Sequence, residues 1–164
     1  MKVHPPYSAI VPAPFGAVGI QTDADASQVV RFAFLPPGSK ERLPANALAA
    51  EAAQQVRRYL VQPDFRFDLP LADAGTAFQR AVWREIAAVA PGDTTTYGTI
   101  AKRLGSGPRA VGQACGANPL PLVTPCHRVV AASGGLGGFA SQRDHAHFLL
   151  ATKSWLLQHE ANRR

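Results

Sequence analysis

Alternating apolar and polar positions in the first part of the chain predict short strands. We expect residues 15–20 and 29–35 to pair as neighbouring strands, and the second run shows this period of two. In the second run, Val30, Phe32 and Phe34 are expected to share the better-buried face. The pattern therefore predicts a small sheet near the start of the chain.

One helix and one further strand are predicted to complete this first part. Apolar residues at helical spacing predict a helix over 48–60. Alternation at 65–69 predicts another strand, and 70–75 is the expected linker. Residues 1–70 are thus expected to form a small sheet-plus-helix domain. The apolar stripe of the helix consists of Leu48, Ala52, Val56 and Tyr59.

The second part of the chain, 76–164, is expected to be mostly helical, because its apolar residues recur every three to four positions. Thr76 and Gln79 form a capping-box pattern at the start of the first helix. Thr96 can cap another helix, and Gly105 is a suitable C-terminal stop. The predicted helices cover 76–89, 97–104, 109–116 and 147–159.

Two of these helices, 97–104 and 108–117, are joined by a short glycine-containing turn and have the outline of a helix-turn-helix. The second has a thin surface that would let it lie close to the minor groove of DNA, although tight helix packing favours the same residues. Arg109 at its start is either a DNA contact or a solvated charge. The small residues are Ala110, Gly112, Ala114, Gly116 and Ala117.

Composition narrows the class of protein. The chain has 164 residues, of which 46% are hydrophobic and 17% charged, as is typical of globular proteins. A net charge of +6 and a pI near 9.9 favour a polyanionic partner such as DNA or RNA, or else serve solubility. No apolar run approaches the roughly 20 residues that span a membrane, and prolines interrupt the N-terminal segment. We expect a cytoplasmic protein with no membrane partner.

Cysteine and histidine usage argues against a metal site. The two cysteines, Cys115 and Cys126, are too few for a disulfide framework. A structural zinc site needs about four ligands, and no paired ligand spacing occurs in the sequence. The one weak combination is His127 with His145 and His147. We therefore expect no metal and no cofactor.

Cys126 and His127 stand side by side in the segment TPCHRVV. An imidazole can take the proton of a thiol and so produce the nucleophilic thiolate. Neighbouring side chains point in different directions, so we expect a bridging water between them. Asp144 and Glu160 are the candidate carboxylates for orienting the histidine. A structural cysteine beside a surface histidine is the alternative interpretation.

The order of several motifs resembles the O6-alkylguanine-DNA alkyltransferases, a family of single-use DNA repair proteins. The resemblance covers the whole second half, whereas the first half matches only in outline. It implies an α+β fold, with a ribonuclease H-like N-terminal domain over 1–70 and a helix-turn-helix domain for DNA binding and alkyl transfer over 76–164. The motifs are GTAFQRAVW at 75–83, TYG at 96–98, RAVG at 109–112, NP at 118–119, PCHRV at 125–129 and KSWLLQHE at 153–160.

The resemblance implies a catalytic role for five residues. Cys126 would be the nucleophile and the final alkyl acceptor. His127 would act as general base through a water, and Glu160 would hold His127. Tyr97 would donate a proton to N3 of the departing guanine. Asn118 would brace the turn between the second helix of the helix-turn-helix, 108–117, and the active site.

The same resemblance implies a DNA-binding surface and a base pocket. Arg109 would fill the gap left by a base that flips out of the duplex. The backbone carbonyls of Cys126 and Val129 would accept from the guanine amine. Further DNA contacts are assigned to Thr95, Thr96, Ala110, Gly112 and Cys115, and the pocket walls to Val129, Phe139, Ala140 and Ser141.

The implied activity is direct, stoichiometric transfer of the alkyl group from O6-alkylguanine, and also from O4-alkylthymine, to Cys126. The protein would be inactivated as it reacts, acting as a monomer on double-stranded DNA through the minor groove. A non-catalytic protein that binds alkylated lesions is the alternative. The segment 139–148 departs from the family pattern, because it lacks the usual glycine pair and is longer.

Overall fold

The computed structural model of the protein describes residues 7–133, 135 and 146–162. It divides into two compact units, one up to Asp73 and one from Ala74 onward. A three-stranded antiparallel sheet and a helix make up the first unit, and helices dominate the second. The α+β class expected from the sequence is confirmed.

The sheet of the first unit consists of β1 (Ala9–Ala13), β2 (Gly16–Thr22) and β3 (Val29–Leu35) in that spatial order. The pairing expected between the second and third strands is confirmed. Strand β1 is not predicted by the pattern, because Pro12 interrupts it, yet a proline is tolerated at the edge of a sheet. Gly16 is required at the β1–β2 turn, since its φ is 143° and a Cβ there would lie 2.1 Å from the Leu35 carbonyl oxygen.

The expected face of β3 is wrong at its start. The register between β2 and β3 shifts at Gln21 and Thr22, so that Thr22 pairs with Val29. An irregularity of this kind reverses which side chains face the core. Val29 is fully buried and Phe32 is 2% exposed, whereas Val30 remains half-buried.

Helix α1 (Ala47–Val61) lies against β1 and β2 and confirms the predicted helix. The side chain of Asn46 caps it by accepting a hydrogen bond from the backbone N–H of Ala49. Residues at helical spacing on its inner face are buried against the sheet, which is where its stability comes from. They include Ala52, Val56 and Tyr59.

The strand predicted at 65–69 is wrong. The side-chain amide of Gln55 replaces a strand partner there, donating to the carbonyl of Asp68 and accepting from its N–H, both at 2.9 Å. Phe67 contacts Phe32 and Tyr59, so the apolar alternation reports burial rather than strand pairing. An extended segment can therefore show a strand's period without joining a sheet.

The second unit begins with α2 (Ala77–Ala87), α3 (Tyr97–Leu104) and α4 (Pro108–Gly116). Local signals set their ends as predicted. Thr76 and Gln79 make the reciprocal hydrogen bonds of a capping box. Thr96 caps α3 through the N–H of Thr99, and Gly105 ends it in the left-handed conformation. Pro108 opens α4 at its first turn.

Four further elements of this unit lie among the described residues: a 3₁₀ helix (Cys126–Arg128), two strands of two residues each, and α5 (Ala146–Ala161). Strand β4 (Thr95–Thr96) runs parallel to β5 (Val129–Val130) and joins the start of α3 to the residues after the 3₁₀ helix. Helix α5 packs on the 3₁₀ helix. Among the described residues, no helix is both long and apolar enough to span a membrane.

Candidate active site

The thiol of Cys126 lies in the core of the second unit. Its residue is only 4% exposed and packs among Val82, Val111 and Val129. The sulfur accepts a hydrogen bond from Asn118 Nδ2 at 3.1 Å. Cys126 stands at the first position of the 3₁₀ helix, which the two-strand pair holds beside the start of α3.

Asn118 ties the end of α4 to the segment that carries Cys126. Its Nδ2 also donates to the Thr124 carbonyl at 2.8 Å, and its Oδ1 accepts from the Leu120 N–H at 2.9 Å. The intervening segment includes Leu122, whose φ of 78° is unusual for a residue with a branched side chain. The side-chain amide of Asn118 therefore braces a strained connection and also contacts the sulfur of Cys126.

His127 is 1% exposed, and only one of its ring nitrogens has a partner among the described residues. Nε2 lies 2.9 Å from Glu160 Oε2. Nδ1 is buried, and no described residue makes a hydrogen bond to it. The other candidate carboxylate, Asp144, lies outside the described residues.

Arg128 completes this buried cluster, and sequence reasoning did not single it out. Its Nε and Nη2 donate to the two oxygens of Glu160 at 2.9 and 2.8 Å. Its Nη1 donates to the Val89 carbonyl at 2.6 Å. Two parallel hydrogen bonds from one guanidinium to one carboxylate form a bidentate pair, or fork, which is stronger than hydrogen bonds between neutral groups. The only signal in the sequence is an arginine after Cys-His, and its partner is 32 residues away.

The environment of His127 determines which nitrogen carries its proton. Burial lowers the pKa of His127, so the ring is neutral at pH 7. Glu160 is held as a carboxylate by Arg128 and can only accept from the ring. Nε2 therefore carries the hydrogen and Nδ1 has the free lone pair. The nitrogen able to take a proton is the buried one without a described partner.

Tyr97 and Lys153 form a second polar pair in the same unit. Lys153 is fully buried, and its Nζ donates to Tyr97 Oη at 3.4 Å. Burial raises the pKa of Tyr97, so its hydroxyl keeps its proton at neutral pH. Burial lowers the pKa of Lys153 to about 8. In the sequence, Lys153 stands out only as part of the KSWLLQHE motif, because nothing local distinguishes a buried lysine from an exposed one.

The two cysteines contact each other. The Cys126 thiol donates to the Cys115 carbonyl oxygen at 3.7 Å, and the two thiols influence each other's ionisation. That contact, followed by burial, raises the pKa of Cys126 well above its usual value. The same contact lowers the pKa of Cys115, helped by the charge of Lys153. At rest, Cys126 is thus a neutral thiol.

The residues assigned to DNA lie mainly on the surface of α4 and at the start of α3. Arg109 is exposed and Ala110 half-buried, and a Cβ added at Gly112 would meet open space. Thr95 is half-buried in β4, and the Thr96 hydroxyl is already used as the cap of α3. The side chain of Trp83 holds α4 in place by donating a hydrogen bond to a backbone carbonyl near the end of that helix. That bond joins Trp83 Nε1 and Ala114 O at 2.8 Å.

The expected base pocket is described only in part. Val129 is fully buried, and its backbone N–H donates to the Cys126 carbonyl. A carbonyl oxygen has a second lone pair, so that bond still leaves room for another donor. Phe139, Ala140 and Ser141 lie outside the described residues. Within the part of the chain that the structure describes, no group of three metal-ligating side chains comes together.

Comparisons with known proteins agree with this geometry. A family model for the DNA-binding domain of 6-O-methylguanine DNA methyltransferase matches residues 77–162. The methylated-DNA–protein-cysteine methyltransferase of Methanosarcina acetivorans is 36% identical over 151 residues, which are 88% of this chain and 96% of that protein. The crystal structure of the Mycobacterium tuberculosis O6-methylguanine methyltransferase superposes with a TM-score of 0.75 at 28% identity, covering 94% of this chain and 92% of that one.

A structure of Mycobacterium tuberculosis OGT in complex with DNA gives a TM-score of 0.73 at 30% identity, with the same coverage of 94% and 92%. The sequence likeness extends over nearly the whole of the M. acetivorans protein, and the structural likeness over nearly the whole of the M. tuberculosis chains. The buried Cys126 and the polar cluster around it lie within or beside the region that the family model matches. The chain therefore belongs to the methylated-DNA–protein-cysteine methyltransferase family.

Proposed function

We propose that this protein repairs DNA by transferring the alkyl group of O6-alkylguanine, and of O4-alkylthymine, to Cys126 in a single-use reaction. The observation that carries the proposal is the buried Nδ1 of His127. It has a free lone pair in the residue next to a buried thiol, and no described residue uses it. A structural histidine would normally have both nitrogens satisfied.

The first step is removal of the thiol proton. Because Cys126 is a neutral thiol at rest, it needs a base before it can attack. The proton passes to Nδ1 of His127 through a water, since the two side chains make no direct hydrogen bond. Glu160 then stabilises the imidazolium, and Arg128 keeps that carboxylate ionised and in place.

The second step is displacement at the alkyl carbon. The bond from Cys126 Sγ to carbon forms as the bond from carbon to O6 breaks, and the base leaves. Protonation of guanine N3 makes the base a better leaving group, and Tyr97 supplies that proton. The raised pKa of Tyr97 keeps its hydroxyl protonated at rest, and Lys153 places a positive charge beside the oxygen that loses the proton. The thioether product is stable, so the protein reacts once.

Access to Cys126 requires that the damaged base leave the duplex. A thiol that is 4% exposed cannot reach an O6 substituent inside stacked DNA, so the base must flip out. We propose that α4 lies in the minor groove, where Gly112 faces open space and allows close approach. Arg109, exposed at the start of α4, would occupy the gap in the stack.

The two units have separate tasks in this proposal. Residues 76–164 bind DNA and carry out the transfer, and residues 1–70 form a structural domain. We propose action as a monomer, because the described groups with a proposed catalytic role all lie within the second unit. Both cysteines are free, as in proteins of a reducing compartment, which supports residence in the cytoplasm.

Intact-protein mass after incubation with a duplex containing O6-methylguanine tests the transfer. We expect a gain of one methylene group that stops at one per protein and maps to the peptide containing Cys126. The Cys126→Ala variant should show no gain and still bind the duplex. Absence of a gain in the natural protein, with lesion DNA still bound, would contradict the proposal and favour the lesion-binding alternative. The presence of Cys126 and the names of the relatives favour transfer.

The Arg109→Ala variant tests base flipping. We expect it to lose more activity on duplex DNA than on a free O6-alkylguanine base, because only the duplex requires a residue that holds the stack open. Arg57→Ala is the matched control, since Arg57 is an exposed arginine of the first unit. Equal losses of Arg109→Ala on both substrates would overturn the role of the arginine.

A further inference from the structure

Cys115 is a second thiol inside the active site, and the transfer chemistry above does not use it. It lies in the last turn of α4 and packs against the same apolar cluster as Cys126. Cys126 Sγ reaches the Cys115 carbonyl oxygen at 3.7 Å, and the two thiols influence each other's ionisation. Cys115 is half-buried, whereas Cys126 is 4% exposed.

This arrangement differs from that of two cysteines that merely share a core. The more exposed thiol has the lowered pKa, owing to its contact with Cys126 and to the charge of Lys153. A thiolate with access to solvent is the form that peroxides oxidise first. The buried thiol stands next to it as a resolving group.

We propose that Cys115 and Cys126 form a reversible disulfide that shelters the single-use nucleophile under oxidising conditions. The oxidant is hydrogen peroxide or another hydroperoxide. A disulfide requires sulfur atoms about 2.05 Å apart and Cα atoms within about 7 Å. Cys126 Sγ already lies 3.7 Å from the Cys115 carbonyl oxygen, and both side chains pack on the same apolar cluster, so the two sulfur atoms start close together. Cys115 lies at the C-terminal end of α4, where a helix yields most easily.

The chemistry balances in two steps. The Cys115 thiolate attacks one peroxide oxygen, giving the sulfenic acid at Cys115 and releasing hydroxide. The sulfur of Cys126 then attacks the Cys115 sulfur, the disulfide bond forms, and water leaves with the proton from Cys126. The two thiols lose two electrons and the peroxide gains them. A dithiol reductant returns two electrons and restores both thiols.

The disulfide would protect a protein that cannot regenerate its nucleophile. A cysteine without a resolving partner is oxidised further to sulfinic acid, which thiols do not reduce. Sealed in a disulfide, Cys126 cannot accept an alkyl group, but a reductant recovers it. The protective role rests on the proposed alkyl transfer, whereas the disulfide itself can be measured by mass alone.

The test is peptide mass mapping of the full-length protein after limited peroxide treatment and blocking of free thiols. Trypsin cleaves after Arg109 and Arg128, so both cysteines fall in the single peptide 110–128. We expect this peptide to be lighter by two hydrogen atoms, to carry no blocking group, and to regain two thiols with dithiothreitol. A sulfinic acid at either cysteine as the main product would overturn the proposal, as would disulfides found only between two copies of the chain.

The Cys115→Ser variant is the second arm, and its methyl acceptance is compared with its own untreated value. After peroxide and then dithiothreitol, the natural protein should recover its acceptance of methyl from O6-methylguanine DNA, whereas the variant should not. Equal recovery in both proteins would overturn the protective role. If untreated natural protein accepts no methyl group, the proposed function fails, and peptide 110–128 still decides whether the disulfide forms.

Discussion

The two units of this protein bury different kinds of side chain. The described core of the first unit is apolar and aromatic, and Gln55 is the one polar side chain buried in it. Gln55 substitutes for a strand partner by bonding to the backbone of Asp68. The described core of the second unit buries five polar or charged side chains, which are His127, Arg128, Thr152, Lys153 and Glu160.

We interpret this difference as separating residues that stabilise a fold from residues with a proposed chemical role. Apolar burial contributes about 25 cal/mol per Å², whereas a buried ion pair gains little or nothing over an apolar replacement. Charged groups in a core therefore point to a use other than stability. In the second unit they include His127, which follows the one buried thiol that the structure describes, and Lys153, whose charge acts on that thiol.

The largest expected effect is that of Glu160→Ala. The variant leaves Arg128 and His127 buried without their carboxylate, so the free energy of unfolding should fall by about 3–5 kcal/mol. Methyl transfer should be lost even where the protein remains folded, because nothing stabilises the imidazolium. Urea unfolding followed by circular dichroism, with single-turnover transfer measured alongside it, gives both quantities.

Glu41→Ala is the matched control for that prediction, since Glu41 is exposed in the first unit. It should change neither quantity. Glu160→Gln keeps the shape of the side chain without its charge, and it should abolish transfer at a smaller loss of stability. Normal transfer by Glu160→Gln would contradict the view that the charged residues buried in the second unit serve the reaction.

Val56→Ala changes stability without changing the proposed chemistry, and its effect should lie between those of Glu160→Ala and Lys153→Met. Val56 is fully buried in the first unit, so removing two carbons should lower the free energy of unfolding by about 2 kcal/mol. The transfer rate should be unchanged at temperatures where the variant is folded. A fall in rate without unfolding would show that the first unit takes part in the reaction.

The smallest expected effect is that of Lys153→Met. The Lys153 cation favours the thiolate of Cys126, so its loss should slow transfer about tenfold at pH 7, equivalent to about one pKa unit. Lys153 titrates at about 8, so its charge is present below that pH and lost above it. The ratio of natural to variant rates should therefore shrink towards one as the pH rises through 8.

Tyr97, Cys115, Cys126 and His127 are the other ionisable groups that interact with the amine, and both proteins contain them, so the ratio of rates at each pH reports the effect of Lys153. Lys153→Arg is the control, because arginine stays charged over this range. Its ratio to the natural protein should vary in the opposite direction above pH 8. A pH-independent ratio for Lys153→Met would mean that Lys153 acts only by filling space.

Sequence patterns located most helices but misplaced parts of the sheet. Residues 65–69 have a strand's alternation, and only the tertiary position of Gln55 excludes them from the sheet. The shift between β2 and β3 likewise buries Val29 instead of Val30. Strand pairing depends on residues far apart in the chain, which a local period does not record.

The sequence by itself determined the helix-turn-helix, because its signals act over a few residues. The Thr96 cap, the left-handed Gly105 and the first-turn Pro108 all work through local backbone geometry. The family resemblance named Glu160, but nothing local placed it beside His127, 33 residues away. Only the tertiary structure decided that contact, together with the Arg128 fork and the Lys153 amine at Tyr97. Those contacts exist only once the core that excludes water has formed, because an exposed pair of this kind contributes little.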